Sequence, residues 1–190
     1  MTLSEKLFGK NREEIPYWAF RLMSFALNTV DILTNYSSRN FKRLGIQKGQ
    51  TVVDYGCGPA RYIRNISVAV GEEGKLYATD IHPLAIKKAN EKIRKFDLQN
   101  VEAIITKAYN CPVQNHTADI ILALDMFHMV RDSKSLLREF HRIAKPQGMV
   151  IIEDGHQPRK ETNAKIMESG YFTITSENKH HVKCKPIHNQ

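Results

Sequence analysis

Thr51-Val52-Val53-Asp54-Tyr55-Gly56-Cys57-Gly58-Pro59-Ala60-Arg61-Tyr62, followed by Tyr77-Ala78-Thr79-Asp80, decides the reading of this chain. An apolar run over 51–53 enters a Gly-x-Gly turn and a helix leaves it at Ala60. A second apolar strand over 75–79 delivers Asp80 about twenty residues past the glycines, where a carboxylate that meets a ribose belongs. Two parallel strands ending in a glycine turn and an acid describe a nucleoside-binding site.

The turn also says which nucleoside. A dinucleotide site needs Gly-x-Gly-x-x-Gly, so that backbone N–H groups at the helix start face a pyrophosphate and the third glycine packs the helix close to the sheet. Arg61 stands at that third position, and Pro59 removes an N–H that an anion would use. A cofactor without phosphate loses nothing by this. S-adenosylmethionine, with adenine, ribose and a zwitterionic tail, needs only a close backbone approach, which Gly56 and Gly58 allow.

Outward from the turn, apolar strands and amphipathic helices alternate. Strands are predicted over Thr51–Tyr55, Lys75–Thr79, Val101–Thr106, Asp119–Leu124 and Met149–Glu153, with helices over Ala60–Val70, Pro83–Phe96 and Ser133–Ala144 between them. Alternation with short connections predicts an α/β, Rossmann-like, doubly wound parallel sheet. Two N-terminal helices are expected, Tyr17 to about Leu33 after Ile15-Pro16 and a shorter one over Ser38–Leu44. At the other end a helix over Arg159–Ser169 stops at Gly170, and strands Phe172–Ser176 and His181–Lys185 flank a polar Glu177-Asn178-Lys179-His180 turn, an antiparallel hairpin.

The chain resembles the class I S-adenosylmethionine-dependent methyltransferases over about residues 45 to 187. Asp54-x-Gly56-Cys57-Gly58-Pro59 is similar to their first motif, Asp80 to the acid after their second strand, and Lys145-Pro146-Gln147-Gly148 to their turn before the fifth strand. The resemblance implies seven strands in the order 3-2-1-4-5-7-6, one domain over 1–190, and S-adenosyl-L-methionine as cofactor with S-adenosyl-L-homocysteine as product. It implies that Asp54, with Tyr55, Gly56, Cys57 and Gly58, organises the turn and the methionine end. Asp80 would take the ribose hydroxyls, since a carboxylate can accept both protons, and Ile81 would cover one adenine face. Two departures stand out: Ala60 replaces a common third close glycine, and Lys107 replaces an aspartate that meets the adenine amino group. A lysine only donates, so Lys107 is expected to point elsewhere. The Ala108 N–H is then assigned to adenine N1, leaving Asn110 or a backbone carbonyl for the amino group.

The fourth strand carries Asp125 and His128 to the same carboxyl edge, where open α/β sheets bind ligands. Asp125 is assigned to the methionine end or to orienting a nucleophile, and His128 to general-base catalysis near neutral pH. Glu153 and Asp154 end the fifth strand, either as a solvated strand end or as a second acid–base pair. No metal is expected, because adjacent His180 and His181 on a hairpin point to opposite faces and no acidic cluster is evident. Methyl transfer asks mainly for in-line positioning, so a lone-pair acceptor would need no base at all.

With 190 residues the chain suits one domain, and its three cysteines, Cys57, Cys111 and Cys184, suggest neither a disulfide framework nor a zinc site. No signal-peptide core or membrane span is expected, because the most apolar stretch, 17–33, is broken by Arg21, Asn28 and Asp31, and a cytoplasmic enzyme is expected. The net charge of +8 is concentrated on the helix holding Lys87, Lys88, Lys92, Arg94 and Lys95, whose apolar positions Ala85, Ala89, Ile93 and Phe96 share one side, so it reads as a solvated outer face. A small-molecule acceptor is therefore favoured over nucleic acid. The rivals are an RNA or protein methyltransferase using the basic surface, a nicotinamide oxidoreductase, and a non-catalytic S-adenosylmethionine-binding protein. The oligomeric state is left open. Nothing between the later strands is long enough for a substrate domain, so the aromatic segment over 1–44 is expected to be the lid, with Tyr17 or Trp18 facing the pocket.

Overall fold

The computed structural model describes residues 15–188. The described part of the expected lid therefore starts at Ile15, and its first fourteen positions lie outside the described residues. Helix α1 (Tyr17–Thr34) follows Pro16 and ends at Asn35, whose left-handed φ of 49° turns the chain directly into α2 (Tyr36–Phe41). The second helix thus begins and ends earlier than expected. Asparagine tolerates the left-handed region that stops one helix and starts the next.

Strand β1 (Thr51–Tyr55) leads through the glycine turn to α3 (Ile63–Val70), and β2 (Lys75–Asp80) leads to α4 (Pro83–Phe96). The helix expected from Ala60 starts three residues later, because Ala60 itself has φ 55° and cannot lie in a helix. Helix α4 starts where expected, with Pro83 in its first turn and His82 Nδ1 accepting from Leu84 N at 3.1 Å as the cap. Strands β3 (Val101–Ile105) and β4 (Ala118–Ala123), a single 3₁₀ turn over Phe127–Met129, α5 (Ser133–Ile143) and β5 (Ala144–Glu153) follow. Helix α6 (Arg159–Ser169) and the hairpin of β6 (Phe172–Glu177) and β7 (His181–Pro186) complete the fold.

The seven strands lie in the order β3-β2-β1-β4-β5-β7-β6, as the resemblance implied. The first five are parallel, and β7 runs antiparallel to both β5 and β6. Strand β5 is longer than expected. Its Lys-Pro-Gln-Gly segment is an irregularity inside the strand, where the register with β4 shifts between Ala118 and Ile120. Lys145 Nζ reaches both oxygens of Asp119 at 2.8 Å across that irregularity. A Cβ on Gly148 would stand 2.8 Å from the Ala118 carbonyl, so only glycine fits there.

Each face of the sheet has its own core. Val52, Ile63, Ile66, Leu76 and Leu122 pack on the side of α3 and α4, whereas Phe127, Leu136, Phe140, Phe172 and Val182 pack on the side of α5 and α6. Strands buried on both faces read as continuous apolar runs, which is why β1, β4 and β5 are Val- and Ile-rich. Strand order reverses between β1 and β4, and the crevice there opens at the carboxyl ends of the strands.

Candidate cofactor and acceptor site

A cavity of about 790 Å³ lies at that crevice, lined by the glycine turn, the ends of β2, β4 and β5, and the inner face of α1. The turn is built by two N–H groups, of Gly56 and Cys57, that both donate to the Thr79 carbonyl at 2.8 and 2.9 Å. Gly56 has φ 76°, and a Cβ there would lie 3.1 Å from Met126 Cγ, so any side chain would be strained and would press on the β4 loop. Asp80 is buried and locks the turn to β2: Oδ2 accepts the Gly58 N–H at 2.9 Å and Oδ1 the His82 N–H at 2.8 Å. Each oxygen keeps a lone pair for a ligand hydroxyl. Burial raises the Asp80 pKa, and these two N–H donors hold that rise in check.

Asp54, Asp125, Glu153 and Asp154 also line the cavity. Asp54 is buried, and burial together with the charges of Asp80 and Glu153 pushes its pKa up to about 7. Glu153 is pushed up to about 7 by burial and by the charges of Asp125 and Asp154, with Arg61 opposing them. Asp154 is different, since Arg159 holds it at 2.7 Å and lowers its pKa against its own burial. Both Glu153 and Asp154 line the cavity, but Asp154 is also tied to α6 through Arg159.

The acceptor end is formed by two loops. Asp125 has φ 54°, and its carboxylate stands 4.0 Å from His128 Nδ1. The His156 ring meets that of His128 edge-on, with centroids 5.0 Å apart. Gly155, at φ 61°, passes directly behind the His128 imidazole, and a Cβ there would collide with Nδ1. Among the described residues, Asp125, His128 and His156 place ligand atoms within 4.8 Å of one another, a set able to hold a cation. His180 and His181 do diverge, one toward Arg43 Nη1 and the other toward Asn178 Nδ2. His156 and Gly155 escaped the sequence reading because the two loops are far apart in the chain.

The roof is α1. Ala19, Phe20, Met23 and Leu27 line the cavity, Phe20 stacks on His82 with ring centroids 4.5 Å apart, and Asp31 takes Arg61 in a two-point ion pair at 2.6 and 2.8 Å. Burial raises the Asp31 pKa, but the Arg61 hydrogen bonds and charge outweigh it and the net shift is down. Tyr17 and Trp18 do not line the cavity as expected, and both are more than half exposed. The helical phase turns Trp18 away from Phe20, which takes the inward position, whereas Tyr17 lies on the Phe20 side but one turn earlier, its ring 5.0 Å from that of His82. Of the remaining assigned residues, Tyr55, Cys57, Ile81 and Ala108 line the cavity, and Tyr55 Oη donates to the Ala108 carbonyl at 3.3 Å. Lys107 is exposed and outside the lining, its backbone bridged to Asn110.

The methyltransferase-domain family matches residues 46–185. A demethylmenaquinone methyltransferase of Geobacillus stearothermophilus is 31% identical over 117 residues, covering 62% of this chain and 50% of that protein. One from Listeria monocytogenes is 30% identical over 123 residues, covering 65% and 52%. The aligned part thus spans about half the length of these relatives. Among solved structures, a SAM-dependent methyltransferase from Aquifex aeolicus is similar at 26% identity and a TM-score of 0.66, covering 79% of this chain and 88% of that one. A Methanococcus maripaludis protein shares the fold at 17% identity and a TM-score of 0.69, covering 90% and 93%. Among the described residues no helix is long and apolar enough to cross a membrane.

Proposed function

The chain belongs to the class I S-adenosylmethionine-dependent methyltransferases, and on that premise we propose that it methylates a small apolar acceptor held beneath α1. The observation that carries this reading is the gathering of carboxylates on one cavity beside a glycine turn, with Asp54, Asp80 and Glu153 buried or half-buried among them. That donor set fits a ligand with a ribose and a cationic tail, and it repels a pyrophosphate. Asp80 receives the ribose hydroxyls while still holding Gly58, Ile81 covers the adenine, and the Ala108 N–H meets its edge. Asp54 receives the ammonium of the methionine end, with Asp125 beside it. When bound, the cofactor supplies an electrophilic methyl group: the acceptor's electron pair forms the new bond as the carbon–sulfur bond breaks toward sulfur. His128 takes the proton of an acceptor that carries one, and Asp125 stabilises the resulting imidazolium.

The cavity also has an apolar lining, with Met23, Leu27, Met129 and Leu136 among its residues. Its relatives are named for demethylmenaquinone, and we assign this chain an acceptor of that class, an apolar ring. The three buried free thiols suit a reducing compartment such as the cytoplasm. Calorimetry with S-adenosylhomocysteine and NADH, then label transfer from methyl-labelled S-adenosylmethionine to a reduced demethylated naphthoquinone, tests the reading. Binding of S-adenosylhomocysteine alone and a labelled quinone are expected. Tight NADH binding would overturn the cofactor assignment, and cofactor binding without labelled quinone would overturn the acceptor.

A further inference from the structure

Helix α1 is apolar on two faces. Its inner face roofs the cavity, and its outer face carries Trp18, Leu22, Phe25, Ile32 and Leu33, which are 54, 63, 71, 81 and 77% exposed. Their spacing places them on one continuous stripe along the helix. Soluble monomers seldom leave so much contiguous apolar surface in water. The one acid of the helix, Asp31, is turned inward and neutralised by Arg61, so no negative charge interrupts the stripe.

Charge says what covers it. A groove between α1 and α4 runs beside Phe25 and is lined by Arg21, Lys87 and Lys88, while its single acid, Glu91, is paired to Lys88 at 2.8 Å. The stripe is thus edged by exposed Arg21 and Lys87, on a chain of net charge +8. A second copy of the chain would bring two such positive rims together, which opposes self-association through this face. An anionic bilayer satisfies both halves of the surface, taking the apolar side chains below its headgroups and the cations at its phosphates.

We propose that the outer face of α1 docks the protein on an anionic lipid surface, peripherally and reversibly, so that an acceptor dissolved in lipid reaches the cavity beneath the same helix. The docking stands on the surface alone, and only its use in delivering the acceptor rests on the function proposed above. The outward turn of Trp18, which removes it from the cavity, makes it a reporter. It is the only tryptophan in the chain.

The test is sedimentation of the full chain with vesicles of phosphatidylcholine alone or mixed with phosphatidylglycerol, read together with Trp18 emission and its quenching by brominated lipid. Binding to the anionic vesicles is expected, with a blue shift of Trp18 and lipid quenching. The Phe25→Asp/Leu33→Asp variant and the Lys87→Glu/Lys88→Glu variant should each weaken binding by about tenfold or more. Calorimetric S-adenosylhomocysteine binding should be retained in both, which shows that they fold and separates this outcome from failure of the enzyme assignment. The proposal is overturned if neither vesicle sediments the protein. It is also overturned if binding leaves Trp18 emission unchanged, if the Phe25→Asp/Leu33→Asp variant binds as well as the parent, or if Trp18 is already shielded in a concentration-dependent dimer.

Discussion

Asp80 does two jobs at once, holding the Gly58 and His82 N–H groups and offering its remaining lone pairs to a ribose. Asp80→Ala should therefore weaken S-adenosylhomocysteine binding by about 1.5–3 kcal/mol, the scale of charge-assisted hydrogen bonds, and calorimetry measures it directly. The second prediction is one of linkage. In the ligand-free fold Asp54 and Glu153 keep their protons up to about 7, whereas unfolded carboxyls release them near pH 4. The folded state thus binds the extra protons, and their stabilising contribution is complete below about pH 4 and lost as pH rises through about 7. A cationic ligand prefers both groups ionised, so S-adenosylmethionine affinity should rise from about pH 6 to about pH 8 with proton release. S-adenosylhomocysteine, lacking the sulfonium, should show a smaller rise; identical flat profiles for both ligands would remove these carboxylates from cation binding. At Gly155 the expectation is kinetic. Gly155→Ala drives a methyl group into His128, and turnover should drop by at least ~10-fold with cofactor affinity nearly unchanged if that imidazole is the base.

At the level of elements, α1 is the part whose attachment can be adjusted. Among the described residues it is held to the core by the Arg61–Asp31 pair and by Phe20 and Tyr17 against His82. Asp31→Ala should loosen it on the order of 1 kcal/mol, since the pair is partly exposed. Hydrogen exchange should quicken over 17–34 while strands β1 and β4 stay protected; uniform quickening would show that α1 belongs to the cooperative core. The same helix marks where sequence reading stopped. Its existence was legible from Pro16 and the apolar density, but not its phase, because both faces are apolar and only contact with His82 selects Phe20 over Trp18. The glycine turn and Asp80 were legible because residue type and spacing carry that geometry. Ala60 misled, since alanine ordinarily marks a helix and here occupies a left-handed turn. His156 was illegible because its meeting with His128 joins two loops that only the folded sheet brings together.

For the whole molecule, the alternation of strands and helices announced the parallel sheet, whereas the placing of β7 between β5 and β6 came only from family likeness, because hairpin patterns carry no information about insertion. Residues 150–153 of β5 pair with 181–184 of β7, and Val150, Ile151 and Ile152 are fully buried. During synthesis β5 emerges well before the strand that covers its open edge. Until then the nascent chain presents unpaired N–H and C=O groups along an apolar strand, the form most prone to pair with a neighbouring chain. The wait for β7 to emerge therefore makes chaperone cover of the β5 edge a determinant of how much protein reaches the folded state.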